Sequence, residues 1–549
     1  MGLFSTKAVS VLQAEANEVG AHTLKKVFGP YRLIALGLGA IIGAGLFSIT
    51  GNAAADYAGP AITLSFIIAA AGCCFAGLCY AEFASMIPVA GSAYTYSYAT
   101  MGEFVAWIIG WDLVLEYAVA SATVSISWSR YVVKLLEGFD VYLPVELTAC
   151  PWDGGIINLP AAVIIILMSL LLIRGTGNSS LVNTIIVALK IAVVLVFIIL
   201  GWKFINTDNY VPFIPENTGT FGEYGFSGII RAAAVVFFAF IGFDAVSTAA
   251  QETKNPKRNM PIGILGSLAI CSVLYVLFAH VMTGVTPYTS FKGHDGIAPV
   301  AVAIENMGIM GADGVIQPAY PWLNKAIILA ILAGYSSVIL VMLLGQSRVF
   351  YSMSKDGLLP KVFSGVHSKF KTPYKSNLLF LIVVSVFVLF VPARVAGELT
   401  SIGTLFAFII VCAGILIMRR KMPDLPRAFK VPWVPLIPIL GIATCLFMMV
   451  FLPFDTWIRL IIWMLLGLDI YIRYGLKNSK LQQQGKGATD KEKTTLYLIT
   501  IGIAILLGSI AFIHQLIEGW DNGIALFILS LSLAVVHVVG YGVLVIRNR

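Results

Sequence analysis

An all-α membrane protein with about fourteen transmembrane helices is the fold class this sequence predicts. Three observations carry the prediction. Mean hydropathy is +0.89, and of the 549 residues 58% are apolar and only 12% charged, too few charges to clothe a water-soluble chain of this size. Apolar runs of the roughly 20 residues needed to cross a bilayer recur from one end to the other. Lysine and arginine are unevenly shared between successive loops.

In chain order the runs cover residues 31–54, 61–87, 101–134, 156–174, 180–203, 227–250 and 261–286, then 322–350, 377–392, 397–418, 433–453, 456–474, 495–517 and 523–546. Inside hydrocarbon a backbone must satisfy its own polar groups, so runs of this length form helices. They lie too close together to be buried helices of separate soluble domains.

Orientation follows from the charges. With both termini in the cytoplasm, 27 of the 36 lysines and arginines fall on the cytoplasmic side and 8 outside, while Lys190 alone lies in the middle of a run. That bias is the positive-inside pattern, and it accounts for the net charge of +8 without a nucleic-acid partner. A miscount of runs would have scrambled the alternation.

The chain then divides into a cytoplasmic arm (1–30), a ten-helix core (31–418), helices 11 and 12 (419–474), a solvated cytoplasmic linker (475–494), and helices 13 and 14 with a short tail (495–549). Residues 3–28 read as an amphipathic arm rather than a cleaved leader, because the first apolar run is too long for a leader. Of the seven cysteines only Cys150 falls in an external loop, which gives it no obvious disulfide partner.

Two runs are unusual. The first contains GLGAIIGAGLF, with Gly37, Gly39, Gly43 and Gly45; the sixth contains FFAFIGFD, from Phe237 to Asp244. Small residues of this kind let membrane helices pack closely. Their recurrence five runs apart is also the pattern of an inverted-repeat transporter with broken helices around a central substrate site.

Four ordered stretches narrow the reading: AIIGAGLFSITGNAAADYAGPA from Ala40, FIGFDAVSTAAQETKNPKRNMPIGI at 240–264, LLGQSRVFYSMSKDGLLPKVF at 343–363, and LTSIGTLFAFIIVCAGILIMRRKMPDLPRAFKVPWVPLIPILGI at 399–442. The first resembles the opening-helix signature of the amino acid–polyamine–organocation superfamily. Together they resemble its cationic amino acid transporter family over nearly the whole chain. The resemblance implies a LeuT-type fold of two inverted five-helix repeats, runs 1–5 and 6–10, working by alternating access in the plasma membrane. It implies a secondary active transporter of L-amino acids, with proton symport favoured over exchange. It leaves the substrate open, since relatives carry neutral as well as cationic amino acids, and it implies neither cofactor nor metal. Any small membrane-protein partner is not identified by the sequence.

Site residues follow from the same comparison. A broken helix at Ile42, Gly43, Ala44 and Gly45 would leave N–H groups free for the substrate carboxylate, and carbonyls near Phe238, Ala239 and Ile241 would take the α-ammonium. Phe238 matches an aromatic lid, and Ile241 shares its helical face. Glu116 in WDLVLEY is an ionisable group at membrane depth, a functional candidate either for the substrate or for a proton path; Asp112 and Asp244 are lesser candidates, and each carboxylate also has a plain reading as a hydrogen-bonded structural group. Tyr335, before Ser336 and Ser337, is placed where the eighth run would limit the substrate side chain. Lys190 in VALKIAVVL has two apolar turns on each side. Sodium-coupled relatives of the fold hold a cation between runs 1, 5 and 8, and the resemblance suggests that the Lys190 ammonium replaces it as the proton-coupling group.

Other classes fit less well. The six histidines are scattered, and neither a metal-ligand spacing nor a phosphate-cradling loop nor a nucleophile elbow occurs, so an enzyme is not expected. An amino-acid sensor without net transport, a membrane acyltransferase and an obligate exchanger are the alternatives.

Overall fold

The structure, a computed structural model, describes residues 2–17, 28–43, 45–89, 91–174, 179–250, 253–292, 299–310, 316–367, 372–483, 488–518 and 524–547. Helices dominate. After the short helix α1 (Val9–Asn17), the first apolar run opens with α2 (Pro30–Ile41), whose proline sits in the first turn, where its missing N–H costs nothing. Helical turns resume at Gly45–Ile49 and continue through Ala54–Ala58. Next come α3 (Ile62–Met86), a short α4 (Ser92–Thr100), and the 35-residue α5 (Glu103–Glu137). The first half closes with α6 (Leu159–Arg174) and α7 (Ser179–Gly201).

The sixth run is α8 (Gly225–Val236), a tight turn at Phe237–Phe240 and a single turn α9 (Ala245–Thr248). It is followed by α10 (Pro256–Val285), the short α11 (Pro299–Glu305), and a small antiparallel hairpin, β1 (Gly308–Met310) with β2 (Ile316–Pro318). Then come α12 (Pro321–Lys355), α13 (Tyr374–Phe390), α14 (Ala393–Lys421), α15 (Leu436–Val450) and α16 (Phe454–Ile470). The chain ends with α17 (Asp490–Glu518) and α18 (Ile524–Arg547).

Among the described residues nine helical stretches are long and apolar enough to cross a membrane, one of them the 57-residue path Pro30–Met86, which holds both of the first two runs. The count is ten if α15 and α16, bent by 113° to one another, are one span; α6 and α13 are apolar but shorter. This is a membrane protein. Short elements invisible to hydropathy are α4, α11 and the hairpin, because none is long or apolar enough to register.

The two interrupted runs lie at the centre. α2 packs against α10 and α7, α8 against α3, and α5 fits between α12 and α14. α17 and α18 pair with each other and reach the rest through α16, leaving most of their surface outward.

The N-terminal arm and the linker segment are more tightly held than their polarity suggests. Leu3 and Leu12 are buried, Phe104 N–H donates to Leu3 O at 2.9 Å, and Glu103 N–H donates to Ser5 O at 3.1 Å. Ser479 and Gln482, in the segment expected to be a solvated linker, are buried and donate to the Glu103 carboxylate. Glu103 is thus a buried acid surrounded by donors, since Tyr98 and Tyr471 also reach it at 3.0 and 3.1 Å.

Candidate transport site

Two breaks face each other. In the first, Ile42 leaves the helical region (φ −71°, ψ 104°), and the N–H groups of Gly43 and Gly45 donate to no backbone carbonyl among the described residues. In the second, Ile241 is extended (φ −60°, ψ 138°), and Gly242 takes φ +115°, which a residue with a Cβ rarely adopts. The breaks are in contact. A side chain on Gly45 would overlap the Ala239 backbone, and one on Gly242 would come within 2.9 Å of the Ala40 carbonyl carbon. The sequence supplies glycine where backbone meets backbone.

Between them lies a small cavity. Gly43 and Gly45, with Ala40 and Ile41, form one side; Phe238 and Ile241 form the other. Ala120 and Val124 of α5 and Val338 and Met342 of α12 complete it. Every lining residue is apolar, and the volume is about 10 Å³, room for roughly one water. An amino acid requires the walls to part.

Lys190 reaches the first break from α7. It is 1% exposed, so it does not snorkel to an interface, and its Nζ donates to Gly39 O at 2.7 Å and Ile42 O at 3.0 Å. These carbonyls lose helical partners where α2 ends, so the ammonium takes over part of the capping. Gly334 of α12 makes space for the lysine stem, for a Cβ there would sit 2.8 Å from Lys190 Cε.

The other expected residues are distributed differently. Ile42 and Ala239 are buried at the breaks but contribute backbone rather than cavity wall. Ala44 lies outside the described residues. Glu116 is fully buried yet does not line the cavity; it sits with Asp112 over Gly403 of α14. None of the four oxygens of Asp112 and Glu116 has a hydrogen-bond partner among the described residues, and the nearby Thr404 hydroxyl donates instead to Thr400 O. Tyr335 is also outside the lining. Its hydroxyl pairs with Ser48 at 2.9 Å and its ring packs on Phe47 and Tyr131.

Sequence reasoning missed the residues that fix the breaks. Tyr275 on α10 places its hydroxyl 2.9 Å from both Ile41 O and Ala239 O, one carbonyl from each break. Tyr131 donates to Phe47 O at 2.7 Å. Tyr117 donates to Asp244 at 2.5 Å, while Asp244 accepts the Gly242 N–H at 3.2 Å. A lone tyrosine in an apolar run carries no signal of its own, because its partner is a carbonyl on a distant helix.

Near the end of α3, Glu82 is wholly buried and bound by Arg419 of α14 through two bonds of 2.9 and 2.7 Å, by Arg427 at 3.1 Å, and by Val431 N–H at 2.7 Å. Fork-shaped guanidinium pairing of this kind fixes direction as well as charge. It clamps α3 to α14 and to the segment leading to α15.

Residues 28–468 match the family model described as amino acid permease. The branched-chain amino acid permease BcaP of Bacillus subtilis (strain 168) is 45% identical over 485 residues, 88% of this chain and 99% of the relative. The methylthioribose transporter of the same organism is 40% identical, again over 88% of this chain and 99% of its own. Cationic amino acid transporter 4, vacuolar, of Arabidopsis thaliana is 34% identical over 74% of this chain and 65% of its own. These relatives are transporters rather than enzymes. With a family model spanning both broken helices and the α7 segment that bears Lys190, the chain belongs to the amino acid permease family.

Proposed function

We propose that this permease imports an L-amino acid with an apolar side chain across the plasma membrane by proton symport. The observation that carries the reading is Lys190, whose ammonium bridges Gly39 O and Ile42 O beside the two N–H groups of the first break that donate to no backbone carbonyl among the described residues. Protonated, it holds the break in the shape that receives a carboxylate at Gly43, Ala44 and Gly45. Neutral, it has at most one lone pair and two donors to offer, its grip on the carbonyls weakens, and the site reopens on the cytoplasmic side. The α-ammonium is taken by carbonyls of the Phe238–Ile241 turn, with Phe238 covering it.

The substrate class rests on the wall. A cationic side chain needs a counter-charge when it leaves water, and no lining residue supplies one. Glu116 lies behind the wall, and Tyr335 supports it rather than limiting its length. The relative named for branched-chain amino acids fits this reading.

The wider architecture is part of the proposal. We read the chain as fourteen crossings with cytoplasmic termini and two inverted repeats within 31–418, a reading supported by the charge alternation and by the two breaks. α17 and α18 are then peripheral to transport. A thermal-shift screen of the twenty amino acids and methylthioribose tests the substrate, since a ligand of the folded state raises its melting point. Stabilisation by leucine, isoleucine or valine is expected. Stabilisation by methylthioribose alone favours the second reading, to which the 40% identical relative gives weight, and stabilisation by arginine alone contradicts both.

A further inference from the structure

We infer that a groove at the start of α10 binds one anionic phospholipid. The groove, about 570 Å³, opens beside Lys257 and Arg258 in the first turn and runs past Pro261, Ile262, Leu265 and Gly266. Its opposite wall is Ala428 and Phe429. Among the described residues neither cation has an ion-pair partner, so two positive charges stand at its mouth with no carboxylate from those residues against them.

The groove is a built feature. The segment bearing Ala428 and Phe429 is held on both flanks by Glu82, through Arg427 on one side and the Val431 N–H on the other. On the α10 side Gly266 makes a trough floored by Ile34 of α2, whose Cδ1 lies 3.1 Å from where a Cβ would be. Below the trough the same face of α10 continues outward-facing and apolar through Ile270, Val273 and Leu277. From Ile262 to Leu277 the helix rises about 22 Å, more than the roughly 15 Å depth of one hydrocarbon leaflet. An acyl chain therefore has a continuous track.

Charge and shape together select the ligand. A soluble anion has no use for the trough, and a zwitterionic headgroup leaves the cations uncompensated. A phosphate-bearing headgroup with net negative charge satisfies Lys257 and Arg258 while its acyl chain fills the trough. The site touches α2, the half-helix whose end Lys190 caps, through Ile34.

The test titrates the purified full-length protein with phosphatidylglycerol, with phosphatidylcholine of the same chains, and with sn-glycerol 3-phosphate, counting retained molecules by native mass spectrometry. Two interfacial cations predict a phosphatidylglycerol preference of roughly thirtyfold, about fivefold from each. That preference should vanish in Lys257→Gln/Arg258→Gln, two exposed positions where folding is not at stake. Ala428→Trp, which fills the groove from the far wall and keeps both charges, should lower retention of phosphatidylglycerol to that of the double variant. Equal retention of the two lipids, a preference that survives either variant, or competition by glycerol phosphate as effective as by lipid would overturn the assignment.

Discussion

Replacing Tyr275 by Phe removes one oxygen and leaves the ring packing on Phe66 and Phe240 in place. The lost hydroxyl is the donor to Ile41 O and Ala239 O, both at 2.9 Å, so one carbonyl in each broken helix loses a partner. Leaving a buried acceptor unsatisfied costs about 1–3 kcal/mol, whereas hydrogen bonds between membrane helices average nearer 0.6 kcal/mol because partners are found elsewhere. A single donor shared by two acceptors then puts the combined effect at about 2 kcal/mol. If the hydroxyl holds the two breaks at the spacing that receives the substrate, this appears as roughly thirtyfold weaker apparent affinity. Uptake into proteoliposomes at graded substrate concentration gives KM, and detergent-solubilised protein gives the melting midpoint. KM should rise by an order of magnitude or more with a small fall in midpoint. A KM within twofold of the parent would refute the idea that Tyr275 sets the spacing, and a lowered midpoint with unchanged KM would make it a packing residue only.

Three further outcomes follow from the same geometry. Gly43→Val should abolish uptake while the folded protein is still recovered on size exclusion, since a Cβ at Gly43 lies 3.1 Å from Val338 Cγ2 and the branched chain fills the cavity; normal KM would count against the carboxylate site. Glu82→Gln removes the charge that pairs Arg419 and Arg427. Breaking a buried ion pair costs about 3–5 kcal/mol, and because Arg419 is 25% exposed water recovers part of that, so the lower end is expected, read as a melting midpoint several degrees lower. Tyr335→Phe should leave the leucine-to-arginine uptake ratio unchanged and lower stability by about 1 kcal/mol through loss of the Ser48 bond; a changed ratio would return Tyr335 to the substrate pocket.

Much of the helical content was legible because lipid permits few alternatives: a 20-residue apolar run has to pair its own backbone. The breaks were legible too, since Gly45 and Gly242 mark where backbone approaches backbone and Gly43 lies against the Val338 side chain. Lys190 stood out as a basic group that no loop could claim. What sequence did not disclose were contacts between residues hundreds of positions apart. Glu116 and Tyr335 share runs with cavity residues but face other neighbours, and a few tens of degrees of helix rotation, invisible in a uniformly apolar run, decide which side chain meets the cavity. Glu103 and Glu82 lie near the ends of α5 and α3, where polar residues are ordinary. Their partners on distant segments turn them into buried anchors. The packed state of Ser479 and Gln482 was hidden for the same reason, because polarity alone reads as exposure.

The central claim is that the Lys190 proton couples to transport, and one measurement addresses it directly. Wild-type and Lys190→Met proteins are reconstituted in sodium-free proteoliposomes, and uptake of labelled leucine is followed under an imposed inward proton gradient, with exchange against internal leucine as the check that the variant is folded. An acidic exterior keeps Lys190 protonated in the outward-facing state and a neutral interior releases the proton, so the gradient should drive accumulation in the wild type. Methionine has a similar length but can neither bind a proton nor donate to Gly39 O and Ile42 O. The account predicts that the variant exchanges leucine with weakened affinity, because the first break has lost its donor, and gains nothing from the gradient at any external pH. Accumulation by the Met variant to the wild-type level would contradict it.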